Sequence, residues 1–168
     1  HMREFARKSD KTHVPVQLND ILKRAFEIFS QQLKVRGIEV QWALEEQLPK
    51  INADPQRLEQ VFINLLLNAR DAIEEKWEDA DYKGEAKEIY VETSSRNSTV
   101  MIKVKDTGLG MSESVLNKIF EPFFTTKKPG KGTGLGLSIS YGIVKDYSGT
   151  IRVKSDAGKG TIFDIRFP

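Results

Sequence analysis

Asp106 stands at the end of an alternating apolar run, with Gly108 and Gly110 at the second and fourth positions after it and Met111 next. A carboxylate so placed can accept a hydrogen bond from an exocyclic amine such as that of adenine, and the glycines would let a ring approach the backbone closely. The same pattern equally suits a tight turn after a strand. Further on, Gly132, Gly134 and Gly136 alternate with Thr133, Leu135 and Leu137 just before a helical pattern. Backbone amides and a helix N-terminus in that arrangement can cradle an anion. Two familiar phosphate motifs are excluded. A dinucleotide fingerprint G-x-G-x-x-G would need glycine where Leu137 stands, and no G-x-x-x-x-G-K-[ST] loop occurs. Protein-kinase signatures are missing as well.

The stretch from Asp106 to Gly136 holds half of the twelve glycines and frames Ile119, Phe120, Phe123 and Phe124, followed by Thr125, Thr126, Lys127 and Lys128. The spacing reads as a pocket with a hinged lid whose hinge the aromatic rings pin to the body. Lys127, Lys128 and Lys131 either solvate that loop or neutralise phosphate. Lys127, directly after the hydroxyl pair, is the candidate for stabilising the charge that shifts in phosphoryl transfer. A second polar feature lies upstream. Asn64, Asn68, Asp71 and Glu75 recur at i, i+4, i+7 and i+11 beside an apolar helical stripe. Asparagine is a poor helix former, so two in mid-helix require a reason. One reading is a solvated face. The other is that Asn68 offers a neutral oxygen to Mg2+, an ion usually shared with substrate phosphates, while Asp71 contacts the ion's waters or orients a neighbour.

The elements that must position these residues follow from periodicity. Ile21, Leu22, Ala25, Phe26, Phe29 and Leu33 recur at helical spacing, with Asn19 as N-cap and Gly37 as terminator. Ile38, Val40, Trp42 and Leu44 alternate as a strand with one buried face. Asp54-Pro55 opens a second helix that buries Leu58, Val61, Phe62, Leu65, Ala69, Ala72 and Ile73 and exits at charged Glu74-Glu75-Lys76. Residues 78–87 read as a solvated loop. Two strands follow, paired through Arg96-Asn97-Ser98, and the second runs into Asp106. Ser112 caps a short helix over Glu113 to Lys118. A third long helix, Leu135 to Tyr147, buries Leu137, Ile139, Ile143, Val144 and Tyr147 and stops at Gly149. A last hairpin joins Thr150–Ser155 to Thr161–Phe167. Hairpin-linked strands cannot form a purely parallel sheet, so the expected class is α+β: a two-layer sandwich with a mixed, mostly antiparallel sheet of about five strands, three long helices and a lid.

Size and composition bound the rest. At 168 residues and 39% hydrophobic, the chain suits one core. Residues 1–15 are assigned to a leader and 16–168 to the domain. His1-Met2 reads as a vector scar, and Arg3 to Lys11 as either a frayed end of a neighbouring domain's helix or a disordered terminus. With 26 Lys+Arg against 24 Asp+Glu, the net charge of +2 makes no case for nucleic acid or anionic membrane as partner. Without cysteine there is neither a disulfide frame nor a thiolate metal site, which suits a reducing cytoplasm. No apolar run approaches the roughly 20 residues of a membrane span. A soluble, cytoplasmic domain is expected, whether or not the full-length protein is membrane-anchored.

Taken in order, these segments resemble the boxes of the ATP-binding domain of bacterial sensor histidine kinases, in the superfamily that also holds gyrase B subunits, MutL and the ninety-kilodalton heat-shock chaperones. Asn64 to Ala69 resembles the N box, Asp106 to Gly110 the first glycine box, Phe120 to Phe124 the F box, Gly132 to Leu137 the second glycine box, and Gly158-Lys159-Gly160-Thr161 the last. The resemblance covers roughly Val16 to Pro168 and implies the Bergerat sandwich, with ATP between helices and sheet. It implies Asn68 as Mg2+ ligand, Asp106 as adenine anchor and Thr161 as a second adenine contact. The hydrolytic relatives carry a Glu general base four residues before the metal Asn. Here that residue is Asn64, whose amide cannot take a proton, so slow hydrolysis and transfer to a protein histidine are expected. The sequence departs from many such kinases in carrying Asp71, preceded by Arg70, where a phosphate-contacting base is usual; Arg70 would replace that base only by curling inward. The resemblance also implies as partners a dimerisation and phosphoacceptor domain and, through it, a response regulator. His13 lies in a polar leader unlike a phosphoacceptor motif, and the isolated domain is expected to be a monomer.

Overall fold

The computed structural model describes residues 13–78, 86–124 and 136–168. Strand β1 (Val14–Val16) leads into helices α1 (Leu18–Ile28) and α2 (Ser30–Val35), then β2 (Glu39–Ala43) and β3 (Ile51–Ala53). Helix α3 (Pro55–Trp77) is followed by β4 (Glu88–Arg96), β5 (Thr99–Asp106) and a short α4 (Glu113–Leu116). Helix α5 (Gly136–Asp146) and the hairpin β6 (Thr150–Asp156) and β7 (Gly160–Phe167) complete the order. The main sheet runs β2-β4-β5-β7-β6, with β2 parallel to β4 and every other pair antiparallel. The five strands expected from periodicity form this sheet. The pair β1 and β3 was not expected, because three residues are too few to show a period.

Register explains the two layers. Val91 lies opposite Val104 and Val104 opposite Phe163, so the even-numbered residues of β5 and the odd-numbered ones of β4 and β7 share one face. That face is buried beneath the helices, while Tyr90, Glu92, Lys103 and Lys105 meet solvent on the other. Helix α3 is the central helix and packs against α1, α5, β5 and β7. Its start is the expected one: Asp54 accepts from the Gln56 N–H at 2.9 Å, with Pro55 in the first turn. Leu58, Val61, Phe62 and Ile73 are wholly buried. The β4–β5 turn also holds, with Asn97 and Ser98 both at positive φ, 51° and 68°, as a two-residue type I′ hairpin requires.

Several local expectations are corrected. The first helix breaks at Phe29, and its cap is Gln17, whose side chain accepts from the Asn19 N–H. Asn19 is engaged elsewhere: it donates to the Glu45 carbonyl and accepts from the Thr93 hydroxyl, both at 2.8 Å. A tertiary bond outcompetes the local cap. Gly37, at φ +72°, does terminate α2, with Ile38 N–H bonding back to Leu33 and Gly37 N–H to Lys34. Strand β2 is an edge strand with Trp42 41% exposed, not a strand with a fully buried face. In α5 the buried residues are Ser140, Ile143 and Val144, whereas Ile139 is 46% exposed because it lies on the flank of that stripe. The left-handed residue ending α5 is Ser148, at φ +60°; a side chain on Gly149 would run into Phe167. Residues 1–12 and 79–85, including Arg3 to Ser9 and most of the expected loop, lie outside the described residues.

Candidate functional site

Asp106 is the last residue of β5 and falls on the core face, between Ile89 of β4 and Thr161 of β7 in register. Position 106 continues the buried series 100, 102, 104, which places a carboxylate where an apolar residue is the norm. It is 4% exposed, and its Oδ1 accepts from the Gly108 N–H at 2.8 Å. Burial pushes its carboxyl up to about 6, against the opposing pull of backbone N–H groups of Gly108 and Thr161 and of the Lys76 charge.

The loop after Asp106 is clamped between α3 and the last hairpin. Leu109 N–H donates to the Ala72 carbonyl of α3 at 3.0 Å, and Gly158 N–H donates to the Leu109 carbonyl at 2.5 Å. Glycine is obligatory at two points. A Cβ on Gly110 would lie 2.0 Å from the Asp156 carbonyl oxygen, and one on Gly160 would lie 2.0 Å from the Asp106 carbonyl oxygen; both residues have positive φ.

Ser155, which the periodicity marks only as a strand residue, fixes the polarity of Thr161. Its single hydroxyl proton goes to the Gly160 carbonyl at 2.9 Å, and its oxygen accepts from the Met111 N–H at 2.8 Å. The Thr161 hydroxyl, 2.8 Å away, must therefore donate to Ser155 and keeps its own lone pairs as acceptors. Asp106 and Thr161 thus stand opposite one another on neighbouring strands, both able to accept from an amine.

On α3 the functional row runs differently from the expected i, i+4, i+7, i+11 stripe. Asn64, Asn68, Ala72 and Lys76, four apart, form one slowly winding line. Asn64 donates to the Gly136 carbonyl at 2.9 Å and to the Ser140 hydroxyl at 3.0 Å, fastening the start of α5, and accepts from Gln60. Ala72 lies against Gly108, where an added Cβ would come within 2.6 Å, and Lys76 donates to the Thr107 carbonyl at 3.2 Å. Half-buried Asn68 lies midway between the contact to Gly136 and the contacts to the loop after Asp106. Asp71 accepts from the neighbouring Arg70, whose guanidinium also donates to Gln32 of α2 at 3.2 Å. Arg70 is thus engaged toward α2. Lys76 is a second residue that sequence reasoning missed: it reads as a charged helix exit, yet it is 3% exposed.

Ile119 is buried, and Phe120 packs its ring 5.2 Å from that of Tyr141 on α5. Phe124 also packs on the core, but Phe123 is 74% exposed at φ +66°, so the turn that carries it swings the ring outward instead of pinning a hinge. Gly136 and half-buried Leu137 open α5. Thr125, Lys127, Lys128, Lys131, Gly132, Thr133, Gly134 and Leu135 lie outside the described residues. A groove of about 680 Å³ between α1, α2 and β2 contains none of the site residues. Among the described residues no helix is long and apolar enough to cross a membrane.

Residues 53–168 match the family model described as histidine kinase-, DNA gyrase B- and HSP90-like ATPase. The chain is 39% identical over 160 residues to the sensor histidine kinase ZraS of Escherichia coli K12, covering 94% of itself and 32% of that protein. It therefore spans about a third of the length of the first curated relatives it matches. The nucleotide-free catalytic domain of histidine kinase ThkA superposes with a TM-score of 0.77 at 30% identity, over 93% of this chain and 95% of that one. ThkA is also known in complex with the response regulator protein TrrA, matching at a TM-score of 0.72 and 26% identity over 93% of this chain and 41% of that one. Full-length ShkA in complex with AMPPNP gives a TM-score of 0.77 and 30% identity over 93% of this chain and 31% of that one.

Proposed function

Because the chain belongs to the histidine kinase-, DNA gyrase B- and HSP90-like ATPase family, as an ATP-binding catalytic domain of the sensor histidine kinase kind, we propose that it holds Mg·ATP between α3 and the loops that end β5 and begin β7, and passes the γ-phosphoryl group to a histidine of a phosphoacceptor domain. The observation that carries this is the pair of acceptors at the strand ends. An amine at the rim of adenine has protons to give to Asp106 and Thr161, whereas guanine presents a carbonyl there and would meet two acceptors.

Asn68 is the residue we assign to Mg2+. It is neutral, half-buried and lies on α3 one turn from Asn64, which bonds Gly136, and one turn from Ala72, which meets Gly108, and no cluster of three or more acidic or histidine side chains that could hold a metal is found among the described residues. One neutral oxygen fits an ion whose other ligands are phosphates and water. Bound there, Mg2+ supplies charge neutralisation of the phosphates. Asp71 would orient that shell, Gly108, Gly110, Met111, Ile119 and Phe120 would border the base, and Gly132 to Leu137 with Lys127 would cover the phosphates. Arg70, held by Asp71 and Gln32, is assigned only an indirect part.

Asn64 supports transfer over hydrolysis. Its amide is committed to Gly136 and Ser140 and has no basic lone pair to activate water. Catalysis then rests on positioning and charge stabilisation, with a response regulator downstream of the acceptor histidine and the domain working in the cytoplasm where ATP is found. Incubating the domain with radiolabelled ATP or GTP and a separately supplied phosphoacceptor domain tests this. Label should reach the acceptor histidine from ATP, with little from GTP and little free phosphate. Rapid phosphate release without an acceptor would instead favour the hydrolytic class.

A further inference from the structure

We propose that Lys76 is a positioning residue of the nucleotide site: its buried ammonium, bonded to the Thr107 carbonyl beneath the loop that leaves β5, holds Asp106 as the carboxylate that receives the base amine. This rests on the reading of Asp106 as the base anchor.

A lysine 3% exposed is unusual, since a buried ammonium is retained only where other groups compensate its lost hydration. Lys76 has such groups. Its Nζ donates to the carbonyl of Thr107, the residue next to Asp106, and lies 5.3 Å from the centre of the Trp77 ring. Lys76 sits one turn beyond Ala72, whose carbonyl and Cβ meet Leu109 and Gly108. Residues 107 to 109 of the loop after Asp106 therefore rest on this turn of α3.

The groups that face Asp106 can be named element by element. Helix α3 presents the Lys76 charge, the loop presents the Gly108 N–H, and β7 presents the Thr161 N–H. Ile89, its register partner on β4, offers nothing polar. Burial favours the neutral acid, and Lys76 is the charged group opposing it. A neutral acid would keep one proton where the amine must place its own, so loss of the cation would weaken binding increasingly as pH falls into the range where the carboxyl takes up its proton. A brace with no electrostatic part would weaken binding equally at every pH.

The two are separated by calorimetric titration with ADP between about pH 5.5 and 8.5. Wild type is compared with Lys76→Gln, which keeps a donor for the Thr107 carbonyl without the charge, and with Lys76→Arg, which restores charge. Wild-type affinity should fall below about pH 6. In Lys76→Gln the fall should begin about one pH unit higher, a deficit of about eightfold at pH 5.5 that shrinks to about twofold at pH 7 and closes by about pH 8.5, with Lys76→Arg returning toward wild type. A constant offset across the range, or an unchanged profile, would overturn the proposal. Failure of wild type itself to bind at any pH would overturn the anchor reading instead.

Discussion

Asp106 is a carboxylate that the fold would be more stable without. Its ordinary value is 3.8 and burial raises it to about 6, so the native state binds a proton more readily than the unfolded chain. Stability linked to this group therefore falls as pH rises from about 4 to about 6, and above that window the buried anion costs about 3 kcal/mol. Asp106→Asn should raise stability in chemical denaturation at pH 7 by up to that amount. The gain should shrink below about pH 5, where the wild-type acid is neutral. A mutant less stable than wild type would mean that the carboxylate is a structural member of the loop. The sequence marks Asp106 clearly, since an acid at the end of an alternating apolar run breaks the pattern. It leaves Ser155 and Lys76 unmarked, because a strand serine and a lysine near a charged helix end look like ordinary surface. Only the register of β6 against β7, and the docking of the loop on the last turn of α3, turn them inward.

At the scale of elements, α3 is the part most legible in the sequence. Its cap, its proline and its apolar stripe are all local signals, and each agrees with the structure. The first helix was less legible, because the diversion of Asn19 to Glu45 and Thr93 depends on residues 26 and 74 positions away. The polar row on α3 was legible as an anomaly but not in its phase. Asn64 illustrates why: read along the helix it is a poor helix former, while across the fold it ties α3 to Gly136 and Ser140 of α5. Asn64→Ala removes the bonds to Gly136, Ser140 and Gln60, leaving the Ser140 hydroxyl only its bond to the Gly136 carbonyl, which should cost about 1–3 kcal/mol in denaturant unfolding. Amide exchange should rise first in the opening turn of α5. Uniform loss of protection across the domain, with no preference for α5, would show that the tether is not local to that helix.

In the molecule as a whole, the helices cover one face of the sheet and the site lies at the end of that layer where three distant stretches converge. Helix α3 brings Ala72 and Lys76 against the loop after β5, β5 brings Asp106, and the start of β7 brings Thr161, with Gly110 and Gly160 allowing backbone to lie against backbone. Such an assembly is expected to act as a preformed cradle for the base. The central claim, that Asp106 recognises the adenine of a bound nucleotide, is tested most directly by calorimetric titration of the wild-type domain and Asp106→Asn with AMP-PNP and Mg2+ at pH 7.5. One-to-one saturable binding by wild type, with at least a hundredfold loss in a mutant of equal or greater stability, about 2.7 kcal/mol of lost affinity, is the predicted result. Equal affinity of the two proteins would contradict it.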